Sequence, residues 1–213
     1  MNKFKHICFD LDGTLVDSYL NIYNTTVKAL KVLNINEQVH EGEFQKRIGH
    51  HFIDIFKDLN IPVTDVEEFI NIYKSYYFDF IDNSKLYDGV EVVLNKLNSL
   101  GIKISLLTTK GQDQADKIIN HFNLRKYFSY VMGRRNGLAI KPSAEPLQLI
   151  CKALDIEPSQ TLMVGDSELD IQCGKNALAK TCGVLYGYRS EDFIKQEIPD
   201  YLITEIQQLL EFV

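Results

Sequence analysis

The chain has 213 residues, 45% hydrophobic and 24% charged, ordinary globular usage that allows one buried core and a second small module. Its net charge of -6 argues against the basic face that a nucleic-acid polymer or an anionic membrane surface needs, so neither is expected as a partner. Cys8, Cys151, Cys173 and Cys182 show no CxxC spacing and read as reduced, packed thiols rather than as disulfides or a redox or metal site.

Residues 5–10 read as a buried strand. The apolar stretch 7–11 is broken by Asp10 and Asp12 and is too short for an export signal or a membrane span, so a soluble, cytoplasmic protein is expected. From 17 to 85 the apolar residues follow helical spacing, which predicts an all-helical insertion on short hinges near 16–18 and 84–88, with room for a lid motion. Inside it Phe69, Tyr73, Tyr76, Tyr77 and Phe80 fall on one helical face; core packing fits that spacing better than an aromatic ligand box, which it also allows.

Beyond the insertion, helices are predicted over 90–100, with Gly101 as the stop, and over 112–122, 144–154 and 169–178. Strands are predicted over 102–107, 161–164 and 181–185, with 201–203 as an edge strand. Strand and helix alternate, which gives an α/β fold with a parallel sheet covered on both faces.

The sharpest chemical feature is Phe9-Asp10-Leu11-Asp12-Gly13-Thr14-Leu15, two carboxylates two residues apart where an apolar strand runs into a glycine turn. In an extended segment both point to one side, at the carboxyl end of the strand where open α/β sheets bind ligands; an acidic turn alone has the same composition. Val164-Gly165-Asp166-Ser167-Glu168-Leu169-Asp170 repeats the arrangement. Asp166 reads either as a helix N-cap or as a metal ligand, and Asp170 either as a partner of the helix dipole or as a member of the site. Carboxylates gathered in one place need a cation, and an all-oxygen set selects a hard divalent ion, magnesium being the natural choice.

Thr108-Thr109-Lys110-Gly111 puts hydroxyls and backbone N–H groups at a third strand end, which suits a phosphate oxygen, although a threonine at such a turn is by itself more often a helix cap. Lys141-Pro142 supplies a cation to this acidic neighbourhood, although a lone lysine is also ordinary surface charge.

Together, DLDGTLVDS, LLTTK, the lysine of KP and GDSELD, in this order, resemble the haloacid dehalogenase superfamily of phosphohydrolases over essentially the whole chain. The insertion resembles that superfamily's small helical cap, and GKNALAKTCGVLYGY is similar to its phosphoglycolate phosphatase branch. The resemblance implies a Rossmann-like sheet core formed by 1–16 and 86–213, with 17–85 as the cap.

It also implies a magnesium-dependent phosphatase with Asp10 as nucleophile, through an aspartyl phosphate, and Asp12 as general acid and base. Thr108, Thr109 and Lys141 would hold phosphate, and Asp10, Asp166 and the backbone carbonyl of Asp12 the metal. Gly13, Thr14, Lys110 and Asp170 would support them. In the cap, Arg47 and Gly49 of Arg47-Ile48-Gly49-His50-His51 resemble a substrate loop, and Arg47 could pair with a substrate carboxylate. His50 and His51 read as a helix start rather than a metal site, and Arg134 and Arg135 are left without a role.

The chain departs from the branch at Thr109, where Asn is usual, at Ala144, where Pro is frequent, and at Cys173 and Leu178, where small residues are common. These departures bear on substrate. A small phosphorylated metabolite is expected, phosphoglycolate first, with nucleoside monophosphates and pyrophosphate close behind, and a monomer or homodimer. A sugar-phosphate mutase like beta-phosphoglucomutase is the nearest other chemistry. A phospho-accepting signalling receiver or a catalytically silent binding protein would be different classes on a similar sheet.

Overall fold

The computed structural model describes residues 3–213. In chain order the elements are β1 (His6–Phe9), β2 (Val16–Asp17), α1 (Tyr19–Val32), α2 (Glu41–Gln45), α3 (Phe52–Asp58), α4 (Val66–Tyr76) and β3 (Lys85–Leu86). There follow α5 (Val90–Ser99), β4 (Lys103–Gly111), α6 (Gln112–His121), β5 (Tyr130–Arg134) and α7 (Glu145–Leu154). The chain closes with β6 (Thr161–Gly165), α8 (Glu168–Asn176), β7 (Lys180–Val184), α9 (Glu191–Gln196) and β8 (Tyr201–Ile203). It divides into two compact units, one of the residues up to Val16 with Leu86–Val213, the other Asp17–Lys85. Among the described residues no helix is long and apolar enough to cross a membrane.

The first unit is built on a six-stranded sheet in the order β5-β4-β1-β6-β7-β8, with every pairing parallel. Phe9 of β1 stands opposite Leu106 of β4 on one side and Val164 of β6 on the other. The chain leaves β1 toward β4 and β5, then returns to β6 on the far side of β1, so β1 is the topological switch point. All four residues of β1 are buried, as expected of a central parallel strand covered on both faces. His6 is tolerated there because Thr161 Oγ1 lies 3.0 Å from its Nδ1 and Ser105 Oγ 2.7 Å from its Nε2, while burial pulls its pKa down to about 4. Cys8, Cys151 and Cys173 share one core cluster, and all four cysteines are buried and unpaired.

Three features differ from the sequence expectations. Strand β5 was not anticipated, because only Tyr130, Val131 and Met132 precede Gly133 and the two arginines, too short a run to register as a strand. Strand β4 runs past Leu107 to Gly111, with a register shift against β5 between Leu107 and Gly111, where a turn was expected. The helix expected to carry the aromatic stripe ends as α4 at Tyr76 and tightens into a 3-10 turn over Tyr77–Asn83.

The second unit is helical, as its spacing foretold. Phe69, Tyr73 and Tyr77 are buried, and Phe52 packs on Phe69 and Tyr73 with ring centroids 4.8 and 4.9 Å away, while Phe56 meets Phe69 at 4.7 Å. Phe69, Tyr73 and Tyr77 of the stripe are therefore core, as its period favoured, while Tyr76 and Phe80 are only half-buried. Its two ends are tied by Asn21 Nδ2, which donates to Ser84 Oγ at 3.0 Å. His51 precedes α3 and its Nδ1 accepts from the Ile53 N–H at 3.3 Å, a helix-start role.

Candidate active site

At the carboxyl end of β1 the Asp10 N–H donates to the Val164 carbonyl at 2.9 Å, prolonging the ladder with β6 and fixing where the Asp10 side chain leaves the sheet. The chain then folds back sharply: the Leu15 and Val16 N–H groups both donate to the Leu11 carbonyl at 2.9 Å, and the Gly13 N–H to the Val16 carbonyl at 2.9 Å. Gly13 adopts φ +83°, and a Cβ there would run into the Asp166 carboxylate. The glycine is thus required twice over, by its backbone and by the acid that fills its empty side. Thr14 is buried, and its carbonyl accepts from Tyr186 Oη at 3.0 Å.

At the end of β6, Gly165 is constrained by space alone, since a Cβ would strike the Asp170 carboxylate. The N-cap of α8 is Ser167, so the capping alternative for Asp166 fails. Ser167 donates its N–H and its Oγ to Asp170 Oδ2 at 3.1 and 2.6 Å. Asp166 stands one residue before the helix, and its Oδ2 accepts from the Tyr188 N–H at 2.8 Å. The Thr108 alternative falls in the same way: the residue preceding α6 is Gly111, and Thr108 Oγ1 accepts from the Lys110 N–H at 3.2 Å. Thr108 is buried within β4, two residues beyond the partner of Phe9 and just past Leu107, where the register against β5 shifts.

The cation arrives from the segment after β5. Lys141 Nζ lies 2.6 Å from Asp10 Oδ1 and 2.6 Å from Asp170 Oδ1, with all three side chains at least nine-tenths buried; the Lys141–Pro142 peptide bond is cis. Burial works against the ammonium, but the Asp10 and Asp170 charges outweigh it and hold Lys141 above its ordinary value. Burial also pushes the Asp10 carboxyl up, Lys141 opposes this, and Asp170 and Asp166 add to the rise. Burial and the Asp170 charge push Asp166 up to about 7.

One carboxylate oxygen from each of Asp10, Asp166 and Asp170 falls within 4.8 Å of the others. Three carboxylates against the single Lys141 ammonium leave two negative charges, which one divalent cation would balance. Asp170 already spends Oδ1 on Lys141 and Oδ2 on Ser167, so it positions the lysine, and Asp10 and Asp166 are the acids that suit a hard ion. The Asp12 carboxylate is absent from this group: its Oδ2 pairs with Lys110 Nζ at 2.9 Å, each side chain 10% exposed. A carbonyl contribution from Asp12 makes no demand on that carboxylate.

The sequence motifs therefore converge on the ends of β4, β1 and β6, with Thr109 partly buried beside Thr108. Arg47 and Gly49 belong to the other unit, where the Arg47 guanidinium is already engaged by Glu43 at 3.1 Å and Asp58 at 3.5 Å. Gln112 Oε1 accepts from Arg135 Nη2 at 2.9 Å, and Arg134 is in register with Gly111. The Lys110–Asp12 pair, the Tyr188 N–H and the Tyr186 hydroxyl escaped the sequence. The signal that could have found the tyrosines is their place just after β7, at the same end of the sheet.

The chain matches the haloacid dehalogenase-like hydrolase family over residues 7–184, and it belongs to that family. It is 32% identical to the pyrophosphatase PpaX of Halalkalibacterium halodurans, the match covering 97% of this chain and 95% of that protein. It is 30% identical to the phosphoglycolate phosphatase of Aquifex aeolicus, again over 97% of this chain and 95% of the relative. A crystal structure from Haemophilus somnus, described as a predicted phosphoglycolate phosphatase, superposes with a TM-score of 0.85 at 28% identity, covering 99% of this chain and 98% of that one. The protein is thus a hydrolase with the sheet and motifs of that family.

Proposed function

We propose that this hydrolase cleaves a small phosphate monoester, phosphoglycolate first among the candidates, through a phosphoryl group carried transiently on Asp10. The observation that supports it best is Lys141, buried and 2.6 Å from the Asp10 carboxylate, with Asp166 at hand and a charge deficit that one magnesium ion fits. Bound magnesium would supply charge neutralisation on the phosphoryl oxygens, with Asp10, Asp166 and the Asp12 carbonyl to hold it.

Asp10 then attacks phosphorus, the bond to the leaving oxygen breaks, and Asp12, which enters this half-reaction in its acid form, gives that oxygen its proton and is left as the carboxylate. In the second half, Asp12 takes a proton from water as the water oxygen attacks phosphorus, releasing inorganic phosphate and restoring Asp10. Lys141 neutralises charge on the transferred group throughout, and Thr108 Oγ1 faces it with a donor. Asp170 keeps Lys141 aimed.

A second reading, hydrolysis of pyrophosphate, is favoured by one observation, the Lys110 ammonium at 2.9 Å from Asp12, the residue that would protonate the leaving group. The test is phosphate release from phosphoglycolate, pyrophosphate, nucleoside monophosphates and sugar phosphates, with magnesium and with EDTA. Metal-dependent release dominated by one compound names the substrate. Isomerisation of a sugar phosphate with little free phosphate would replace the proposal with a mutase, and no turnover of any kind would leave a silent binding protein.

A further inference from the structure

We infer that Lys110 is a specificity-determining residue, which selects substrates whose leaving group carries its own negative charge. This deepens the phosphatase reading and rests on it.

The site is electrostatically divided by β1. The acids Asp166 and Asp170 come from the β6 side, whereas Lys110 comes from β4 on the other side. Lys110 Nζ lies 2.9 Å from Asp12 Oδ2, and both side chains are 10% exposed, so the ammonium is largely desolvated rather than a surface charge. Its backbone is fixed as well, since the Lys110 N–H donates to Thr108 Oγ1 at 3.2 Å within β4. Asp12 must come within hydrogen-bond reach, about 3 Å, of the oxygen it protonates, which puts the ammonium within roughly 6 Å of the leaving oxygen if Oδ2 serves and within roughly 8 Å if Oδ1 does. Besides Lys110 and Lys141, a further cation stands at the same end of the sheet: Arg134, the last residue of β5, is in register with Gly111, the residue after Lys110.

A lysine whose only task was to hold Asp12 would affect every leaving group alike. One that faces the departing fragment acts on that fragment's charge. At such a distance in a mostly buried site, an elementary charge changes the rate by on the order of tenfold or more. A phosphate or a carboxylate-bearing alkoxide gains from it, and an uncharged alcohol of the same size does not. In a protein of net charge -6 this local cation also offsets the repulsion that an anionic substrate would otherwise meet.

The experiment compares matched substrates. kcat/KM is measured for phosphoglycolate against its neutral amide, 2-phosphoglycolamide, and for pyrophosphate against methyl phosphate. The enzymes are wild type, Lys110→Met and Lys110→Arg, with Asp10→Asn setting the background; Lys110→Gln gives the same readout should the methionine variant not fold. The wild type is expected to prefer the charged member of each pair, Lys110→Met to lower that ratio about tenfold, and Lys110→Arg to keep it. An unchanged ratio in Lys110→Met, with both members falling together, or a wild type without the preference, would overturn this inference alone. Release at the Asp10→Asn background from all four compounds would overturn the phosphatase reading and this inference with it.

Discussion

Asp170 holds Lys141 at 2.6 Å through one carboxylate oxygen while its other oxygen accepts two hydrogen bonds from Ser167 at the start of its own helix. One side chain thereby locks the cation of the site to the frame of α8, and a displacement of either is felt by Asp10. Replacing Asp170 by Asn keeps the shape but removes the charge. The expected result is a loss of about tenfold or more in kcat with a smaller change in KM, because Lys141 acts most strongly on charge that develops in the transition state. Steady-state kinetics read the split, and an effect confined to KM would mean that Asp170 only shapes binding.

Lys141→Met leaves Asp10, Asp166 and Asp170 buried with no ammonium among them. Breaking a buried pair from one side typically costs about 3 kcal/mol or more. A fall in melting temperature is expected, together with loss of turnover, and a melting curve equal to wild type would show the acids to be relieved in another way.

Magnesium should stabilise the folded chain, since a ligand bound only by the native state adds roughly 2.7 kcal/mol at a hundredfold excess over Kd. Thermal melting with magnesium chloride is expected to exceed melting in EDTA, and Asp166→Asn to remove most of the difference. Identical curves for the wild type would contradict the metal assignment without touching the nucleophile.

Asp10→Asn should abolish turnover, and Asp12→Ala should lower it by roughly 10²-fold, the scale of acid–base catalysis. Phosphate release after excluding deamidation is the measurement. More than a few percent residual activity in Asp10→Asn would remove Asp10 from the role of nucleophile.

His6 predicts an acid sensitivity unrelated to the site. Burial holds its folded pKa near 4, below an unfolded value near 6.5, so the unfolded chain binds the extra proton between those limits. The contribution is complete above pH 6.5 and is lost as pH falls toward 4, by about 3 kcal/mol. Denaturant unfolding across this range should show a shallower fall for His6→Gln than for wild type; parallel curves would mean that His6 titrates normally.

Gly165→Ala tests packing at the site. The new methyl would strike the buried Asp170 carboxylate, so kcat and stability should fall together, the latter by about 1–3 kcal/mol. A variant with wild-type melting and turnover would show that α8 can move aside without disturbing Lys141.

Much of the fold is legible in the sequence. Alternating apolar runs gave β1, β6, β7 and β8 within a residue or two, and the helical period of 17–85 gave an all-helical segment, because burial on both faces of a sheet and on one face of a helix write different periods into a chain. The acids and glycines of Asp10-Leu11-Asp12-Gly13 and Gly165-Asp166 were visible as well, since a strand end that binds an anion or a cation must carry polar residues where the apolar run stops.

Other features were decided only by the tertiary structure. The apolar run of β5 was too short to be seen and is a strand because β4 offers it an edge to pair with. Capping was as good a reading of Asp166 as ligation, and for Thr108 alone the better one, until Ser167 and Gly111 took the positions ahead of α8 and α6. Lys141 and Asp10 are 131 residues apart, and Lys110 and Asp12 almost a hundred. Local periodicity carries no record of which strand neighbours which, so both ion pairs exist only through the strand order that sets β4 and β6 on either side of β1.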